Sequence, residues 1–305
     1  MEYQTTIKKS FTLKGPGLHT GKYIHATVTP APDNTGIILR RVDCIPAVDI
    51  PALAENVSTT NHGTTVALGD KSVSTIEHMM AAFHGMGIDN AIVEVDGPEV
   101  PILDGSSRLW IEGIKTSGVE QQESERRYYR VEEPVEWCDH EAGIVLRCEP
   151  ADNFRVFSRI EFQSKLIGSQ SAEMNDYAQF EMDFARCRTF VFLHEVEALL
   201  SLGLIKGGDL DNALVFVDKP LGDEEKARLA KVFDRDPETI NVHDGILNTI
   251  DPFYPNEPAR HKLLDFVGDI YLCGMRVKGH FTLQCPGHRA NTELAKLIRK
   301  KIINR

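Results

Sequence analysis

One sequence pattern occurs twice in this chain, and it limits the folds that the chain can adopt. The segments GIDNAIVEVDGP, from Gly87, and DLDNALVFVDKP, from Asp209, share the frame D-N-A-x-V-x-V-D-x-P, and each follows a helix-like stretch and a glycine. Two copies of a helix–turn–strand unit indicate a duplicated domain with a functional site between the copies. The alternative is that Asp–Asn–Ala is only a favourable turn before a strand.

The length and composition of the chain narrow its class. Its 305 residues exceed what one hydrophobic core usually supports, so two domains are expected. A net charge of −11 argues against a nucleic-acid partner or electrostatic attachment to a membrane. The six cysteines are scattered singly, which is typical of reduced thiols in a cytoplasmic protein. Because no run approaches the roughly 20 apolar residues of a membrane span, no stable membrane insertion is expected.

Strand-like and helix-like segments follow one another without the regular alternation of a doubly wound sheet, which predicts the α+β class. The strand-like segments, rich in β-branched residues, are HATVTPAP, TGIILRRVD, NAIVEVDGP, YYRVEEPVEW, GIVLRCEP and FRVFSRIEF. The helix-like segments are STIEHMMAAFHGMG, EVEALLSLGLIKGG, DEEKARLAKVF, HKLLDFVGD and ANTELAKLIRKKII. The intervening SGVEQQESERR is polar and poor in aliphatic residues, which favours a linker and a division into residues 1–122 and 123–305.

The segment ARHKLLDFVGD places His261, Asp265 and Asp269 at i, i+4 and i+8, on one stripe of a helix. An imidazole and a carboxylate one turn apart can bind the same divalent metal, and the second carboxylate can orient a neighbouring group. Flanking apolar residues indicate that the helix is buried, where unpaired charges are costly. The stripe therefore predicts a metal or catalytic site, and the alternative is a solvated pair on a helix surface.

A second candidate segment is STIEHMMAAF, in which Glu77 and His78 open a predicted helix with a Ser or Thr N-cap. With His261 and Asp265 they supply two imidazoles, one carboxylate ligand and a free carboxylate, the components of a catalytic zinc site. The alternative is a solvated Glu77 and a buried, hydrogen-bonded His78. The next histidine, His84, is six positions after His78, which excludes the H-E-x-x-H motif, and we interpret it as structural.

His288 is a candidate proton donor. It follows a glycine and precedes Asn291 and Thr292, either of which is a predicted N-cap of the last helix. Asp269 is a suitable partner to orient its imidazole and keep it protonated. The alternative is an incidental loop residue.

Two further segments contain candidate residues. Thr189 precedes a predicted helix, where its hydroxyl and the helix N–H groups could meet an oxyanion, or could simply cap the helix. The pair His243–Asp244 is similar to the metal-binding pair of phosphohydrolases, but it lies in a predicted loop without a helical histidine upstream.

Seven segments together resemble one enzyme family. GPGLHTGK, STIEHMMAA, GIDNAIVEVDGPEVPILDGSS, ARCRTF, GLIKGGDLDNALV, RHKLLDFVGD and PGH occur in the order seen in the UDP-3-O-acyl-N-acetylglucosamine deacetylases. The resemblance implies zinc-dependent hydrolysis of the acetamide of the substrate, with release of acetate, in lipid A biosynthesis of Gram-negative bacteria. It also implies two similar α+β domains, each a β-sheet packed on paired α-helices, with the active site at their interface.

The resemblance implies a role for each candidate residue. One Zn²⁺ per chain would be bound by His78, His261 and Asp265. Glu77 would be the general base and His288 the general acid, oriented by Asp269. The remaining residues that it implies are Thr189 at the oxyanion, Lys262 at the nucleotide diphosphate, Phe190 beside the sugar–nucleotide, and Phe192, Val196, Ile205, Ala213 and Val215 along the acyl chain.

The implied partner is an amphiphilic nucleotide sugar. Two features depart from the family pattern: Asp209 stands where serine is common and could narrow the acyl passage, and the segment 233–258 is longer than in many members. In some bacteria this module is fused to a hydroxyacyl-carrier-protein dehydratase, so a fused natural chain is a further expectation. The alternative functions are a metal-dependent phosphohydrolase using His243–Asp244 and a non-catalytic protein that binds nucleotide sugars or acyl chains.

Overall fold

The computed structural model describes residues 2–233, 235–247 and 251–304, so the segment 233–258, predicted to be long, lies partly outside the described residues. The α-helices are α1 (Glu77–Met86), α2 (Arg108–Ser117), α3 (Leu193–Ser201), α4 (Asp223–Val232), α5 (Glu257–Tyr271) and α6 (His288–Ile303). A π-helix covers Phe180–Phe184, and 3₁₀ turns cover Ala54–Asn56 and Pro237–Thr239. Among the helices within the described ranges, none has the length and apolar character needed to cross a bilayer.

The strands of the first part of the chain are β1 (Tyr3–Ile7), β2 (Phe11–Pro16), β3 (Tyr23–Pro30), β4 (Ile37–Arg41), β5 (Val48–Pro51), β6 (Val57–Thr59), β7 (Thr65–Leu68), β8 (Lys71–Val73), β9 (Ala91–Val95) and β10 (Val119–Glu125). Those of the second part are β11 (Tyr128–Arg130), β12 (Val135–Asp139), β13 (Ile144–Glu149), β14 (Phe154–Glu161), β15 (Ser169–Met174), β16 (Phe190–Phe192), β17 (Leu214–Phe216), β18 (Val242–His243), β19 (Ile246–Leu247) and β20 (Arg276–Gln284).

Two of the sheets have the same topology. The N-terminal sheet has the strand order β2-β3-β9-β4-β5, and the C-terminal sheet has the order β12-β13-β20-β14-β15, with β11 also paired to β20. In each sheet the central strand, β9 or β20, is antiparallel to the neighbour on one side and parallel to the neighbour on the other. This repeated order confirms the predicted α+β class with two similar units.

A smaller sheet, here called the insert sheet, has the order β16-β17-β19-β18. Together with α3 and α4 it encloses an apolar cluster of its own, separate from the cluster that joins the two large sheets. Its buried members are Val196, Leu210, Val215, Val217, Leu229, Ala230, Ile240 and Leu247. The insert sheet is therefore a subsidiary unit with an independent core.

The repeated sequence pattern does not occupy equivalent places in this duplication. Its first copy ends in β9, at the centre of the N-terminal sheet, whereas its second copy ends in β17 of the insert sheet. In both copies the asparagine side chain accepts a hydrogen bond from a backbone N–H: Gly36 donates to Asn90 at 2.8 Å and Asp209 donates to Asn212 at 2.9 Å. The prediction that this pattern marks the two halves is wrong, and the alternative, a turn before a strand, accounts for it.

The predicted linker forms a strand instead. Most of SGVEQQESERR is β10, which pairs antiparallel with β1. The Gln122 side chain donates to the carbonyl of Ala31 at 2.9 Å, and the backbone N–H of Ser124 donates to the Asp33 carboxylate at 2.6 Å. Backbone pairing and polar side chains hold this largely exposed strand, so it lacks the apolar pattern of a strand. Residue 122 lies within β10, and the division after it stays a prediction.

Helix α1 packs directly against α5 at a glycine. A Cβ atom added to Gly268 would lie 2.0 Å from the carbonyl oxygen of Glu77, so the two backbones touch at this point. The residues of α1 from Glu77 to His84 are all buried, as is most of α5. Without a side chain at position 268 the helices approach closely enough to combine their polar residues in one place.

Helix α1 begins differently from the prediction. Its N-cap position is Ile76, which makes no capping bond through its side chain. Thr75 has a φ of 59° and directs its hydroxyl to the Glu99 carboxylate at 2.8 Å. The predicted Ser or Thr N-cap is therefore wrong, because the buried Glu99 takes this hydroxyl.

We expect Gly268→Ala to separate α1 from α5 and to lower the free energy of unfolding by about 1–3 kcal/mol, the usual range for an overpacked core. Thermal or urea unfolding measures the change. Gly222→Ala is the matched control, because a Cβ atom there meets nothing within 4 Å and should change stability by less than about 0.5 kcal/mol. Equal stabilities of the two variants would contradict the close approach.

Candidate metal and acid–base site

The contact between α1 and α5 brings together the side chains that the sequence analysis selected. Glu77 and His78 are the first residues of α1, and His261, Asp265 and Asp269 lie on successive turns of α5. All five are at most 5% exposed. The predicted stripe therefore faces the protein interior, and the solvated-pair alternative is excluded.

Three of these side chains direct ligand atoms to one point. His78, His261 and Asp265 form the one group among the described residues in which three or more potential metal ligands converge, with all ligand atoms within 4.8 Å of each other. The Nε2 atoms of His78 and His261 lie 3.5 Å and 3.3 Å from Oδ1 of Asp265. That Oδ1 atom is buried and has no hydrogen-bond partner. A divalent cation would satisfy it, and two imidazoles with one carboxylate are a set that catalytic metal sites use.

The backbone fixes the orientation of one imidazole. Nδ1 of His261 lies 3.0 Å from the carbonyl oxygen of Cys187, so Nδ1 carries the proton and Nε2 keeps its lone pair for a ligand. The adjacent Arg188 is buried and forms an ion pair with Glu257 at 3.0 Å, which secures this carbonyl against the first turn of α5. Sequence reasoning missed these contacts, since a carbonyl gives no signal in a side-chain pattern.

His288 and Asp269 meet as predicted. Nδ1 of His288 donates to Oδ2 of Asp269 at 3.1 Å, and the Asn291 amide donates to the same oxygen at 2.9 Å. His288 is the first residue of α6 and Gly287 is its N-cap. Asn291 and Thr292 lie inside the helix, so the prediction that one of them caps it is wrong. Asn291 is buried, and its amide hydrogen-bonds the carboxylate of Asp269.

Thr64, which the sequence analysis did not select, contacts two of the acidic residues. Its backbone N–H donates to Oε2 of Glu77 at 2.9 Å, and its hydroxyl donates to Oδ1 of Asp269 at 2.5 Å. Thr64 lies in the loop before β7 and is fully buried. No spacing or helix pattern connects it with residues on α1 and α5.

The shared environment shifts the ionisation of both protonatable groups that flank the ligands. Burial raises the pKa of Glu77, despite the positive influence of His288 and His78. Burial by itself would lower the pKa of His288, but the carboxylates of Asp269 and Glu77 outweigh it and raise this pKa to about 9. At neutral pH the site therefore contains a protonated imidazole beside a carboxyl group of increased basicity.

The pKa values of His261 and Asp265 are shifted in the direction that suits the binding of a cation. Burial lowers the pKa of His261 to about 3, so its imidazole is neutral at neutral pH. Burial opposes the charge of Asp265, but its polar contacts, among them the ammonium of Lys262 at 2.9 Å, hold the pKa of this carboxyl well below its usual range. Neutral imidazole and ionised carboxylate are the forms that bind a metal.

A cavity of about 260 Å³ opens beside these groups. The predicted residues Thr189, Phe190, Val196, Ile205, Ala213, Val215, Lys262 and His288 all line it. The lining also includes residues that sequence reasoning did not select: Leu18, His19, His62, Val191, Glu195, Leu199, Gly208, Asn212 and Phe233. Leu18 and His19 come from the GPGLHTGK motif, which was the one available signal for this part of the lining.

Three predicted residues have contacts that differ from their expected roles or add to them. Phe192 lies apart from the cavity lining, in an aromatic group with Phe162 and Phe216 at ring distances of 5.6 and 6.1 Å. Nζ of Lys262 donates a hydrogen bond to the carboxylate of Asp265 at 2.9 Å, so its positive charge also stabilises this ionised carboxylate. Asp209 lines the cavity, but its carboxylate is 3.3 Å from Arg235.

The surroundings of three further candidates test the alternatives raised for them. The side chains of His243 and Asp244 are 64% and 90% exposed and lie 3.5 Å from each other, apart from the converging ligand atoms. Thr189 precedes β16 rather than a helix, so helix capping does not explain it. His84 is buried, with Nδ1 donating to the carbonyl of Val267 at 2.8 Å and Tyr177 2.6 Å from Nε2. It therefore connects α1 to α5, as the structural interpretation predicted.

Fold and site together define a class: a duplicated α+β protein in which two imidazoles and a carboxylate converge beside a buried carboxyl group and a protonated imidazole. The chain matches the family model described as UDP-3-O-acyl N-acetylglycosamine deacetylase over residues 4–235 and 233–300. The chain belongs to this family.

Similar proteins of known sequence agree with this assignment. The chain is 45% identical over 302 residues to the bifunctional enzyme LpxC/FabZ of Porphyromonas gingivalis, covering 99% of this chain and 65% of that protein. It is 38% identical over 301 residues to the UDP-3-O-acyl-N-acetylglucosamine deacetylase of Teredinibacter turnerae, covering 98% and 90%. The corresponding enzyme of Geobacter sp. strain M21 is 39% identical, covering 99% and 90%. The chain thus spans about 65% of the length of the bifunctional relatives.

The site geometry predicts the result of removing one charge. In Asp269→Asn the attraction that raises the pKa of His288 is lost and burial acts against the imidazolium, so this pKa should fall clearly below the value of about 9. NMR titration of the histidine ring in the metal-free protein measures it. A pKa of His288 that stays unchanged would contradict the assigned ion pair.

Proposed function

We propose that this chain hydrolyses the N-acetyl group of a UDP-3-O-(3-hydroxyacyl)-N-acetylglucosamine and releases acetate, as a step of lipid A biosynthesis. The family membership supports the reaction. The observation that carries the proposal is the unpartnered, buried Oδ1 of Asp265, which lies within 3.5 Å of two imidazole nitrogens. His288, which is protonated at neutral pH, lies 4.0 Å from Oδ2 of the same carboxylate, and the buried carboxyl group of Glu77 has a raised pKa, as a general base requires.

Zn²⁺, one per chain, is the proposed metal, with His78, His261 and Asp265 as its ligands. Two imidazoles and a carboxylate suit zinc in a catalytic site, where three protein ligands leave one position open. When bound, such an ion supplies Lewis acidity that polarises an amide carbonyl and acidifies water. The other steps depend on residues of the chain itself.

Proton transfer is assigned to two residues. Glu77, whose pKa is raised by burial, takes the proton from the water that attacks the acetamide carbonyl. The C–N bond then breaks, and His288, held by Asp269, gives its proton to the leaving amine. The products are acetate and the free amine. Thr189 lines the same cavity. We propose that its hydroxyl donates a hydrogen bond to the negatively charged oxygen that exists between the attack of water and the cleavage of the C–N bond.

We propose that the cavity binds both the sugar–nucleotide and the acyl chain of the substrate. Lys262, with Phe190 beneath it at 5.5 Å from Nζ to the ring centre, provides positive charge for the diphosphate and an aromatic face for the sugar–nucleotide. Val196, Ile205, Ala213 and Val215 form the apolar wall for the acyl chain, whereas Phe192 lies outside this lining. Because Asp209 is paired with Arg235, its charge is balanced rather than directed at the chain.

The setting of the reaction is part of the proposal. The free cysteines suit a reducing cytoplasm, and the domain division is placed after residue 122, with the active site between the domains. The names of the bifunctional relatives support the expected fusion to a hydroxyacyl-carrier-protein dehydratase as part of the same proposal.

Two variants distinguish the role of the general base from that of a metal ligand. Glu77→Gln should reduce kcat for acetate release by about 10²–10⁴-fold while the zinc content stays at one per chain. His261→Ala should instead lose zinc, measured by elemental analysis.

His84→Ala is the matched control for the second variant, because it also removes a buried imidazole between α1 and α5 but should retain zinc. Undiminished turnover in Glu77→Gln would contradict the assignment of the base. Acetate release that survives complete removal of metal by a chelator would contradict the zinc mechanism.

A further inference from the structure

Thr64 occupies a place that the proposed reaction does not explain. It lies before β7, is fully buried, and is neither one of the converging ligands nor part of the cavity lining. Yet it hydrogen-bonds to Glu77 through its backbone and to Asp269 through its side chain. These two carboxylates belong to different helices. In the proposed reaction Glu77 accepts a proton, whereas Asp269 orients His288, which donates one.

The backbone before Thr64 is bent to make the first contact. His62 has a φ of 59° and Gly63 a φ of 157°, in the region that favours glycine. A Cβ atom on Gly63 would also lie 3.2 Å from Oε1 of Glu77. The carbonyl of Thr64 accepts a bond of 3.3 Å from the N–H of Ile76, just before α1. The loop is therefore fastened to the start of the helix that carries Glu77.

The side chain of Thr64 makes the second contact. Its hydroxyl donates to Oδ1 of Asp269 at 2.5 Å. The other oxygen of Asp269, Oδ2, accepts bonds from His288 and Asn291 at 3.1 and 2.9 Å. The hydroxyl is thus the donor that fixes the plane of the carboxylate, because a carboxylate held at one oxygen alone can rotate about its Cβ–Cγ bond.

We infer that Thr64 is a positioning residue that sets the relative placement of the base Glu77 and the acid His288. It holds Glu77 directly and holds His288 through Asp269. The inference rests on the proposed function for these roles, and its geometric basis, one buried residue bonded to both carboxylates, is independent of the bound substrate. Thr64 therefore belongs to the active site although it is not part of the cavity lining.

The test compares Thr64→Val with Thr64→Ser in the zinc-loaded enzyme. Valine keeps the backbone bond to Glu77 and the shape of the side chain but leaves Oδ1 of Asp269 without its donor. We expect kcat to fall about 10- to 100-fold, the usual effect of losing an orienting partner, with KM and zinc content unchanged. Serine retains the hydroxyl and should restore kcat to within about threefold of the parent enzyme.

Thr6→Val is the control for a general loss of stability. Thr6 is also buried, and its hydroxyl accepts a bond of 3.1 Å from the N–H of Ala31, remote from the site. Its removal should lower the melting temperature and leave kcat unchanged. If Thr64→Val does not fold, Thr64→Ala provides the same comparison, since it also lacks the hydroxyl.

A spectroscopic measurement separates this inference from the proposed function. The NMR signal of the His288 ring, in protein labelled at histidine, should shift and broaden in Thr64→Val, keep its position in Thr6→Val and return in Thr64→Ser. An unchanged His288 signal together with an unchanged kcat would overturn the inference. A parent protein that releases no acetate would instead overturn the proposed function, and the His288 signal would still decide whether Thr64 holds this residue.

Discussion

The contact of α1 with α5 at Gly268 is the feature on which the site depends. Because no side chain separates the helices there, the first turn of α1 lies against the middle turns of α5. Five ionisable residues, two from one helix and three from the other, thereby share a single buried volume. Each large sheet contributes to the apolar cluster in which both helices are embedded, so the duplicated architecture serves to hold this one contact.

Such a concentration of buried charge is stable only if each charge has partners. Asp269 accepts three hydrogen bonds, from Thr64, His288 and Asn291. Asp265 is paired with Lys262 through Oδ2, while its Oδ1 has no partner. Of the four carboxylate oxygens of Asp265 and Asp269, only Oδ1 of Asp265 therefore lacks a hydrogen bond, and that atom faces the imidazoles of His78 and His261. Metal binding and the stability of the site are coupled for this reason.

The sequence predicted the part of the site that depends on the regular spacing of residues along a helix. Spacings of four residues place His261, Asp265 and Asp269 on one face of a helix, whatever the rest of the fold. The apolar residues on either side of them in the sequence indicate that this helix is buried. Contacts that depend on loops could not be predicted in this way. Thr64 reaches Asp269 across 205 positions, and the carbonyl of Cys187 has no side-chain signature.

The same limit explains the wrong predictions about the fold. The repeated Asp–Asn–Ala pattern is determined by local turn chemistry, which recurs in the insert sheet and in the N-terminal sheet alike, whereas the duplication is a property of strand order. Strand β10 lacked an apolar pattern because its partners are backbone groups and polar side chains. Asn291 is of a residue type that often caps helices, but in the structure it lies inside α6 and hydrogen-bonds the buried carboxylate of Asp269 on the preceding helix, α5.

The central claim is that α1 and α5 together provide one metal site. Anomalous X-ray scattering at the zinc edge, from crystals of the zinc-loaded protein, tests it most directly. The account predicts a single strong peak at about 2.0–2.2 Å from Nε2 of His78, Nε2 of His261 and a carboxylate oxygen of Asp265. A peak coordinated by residues of one helix only, or at His243 and Asp244, would contradict it.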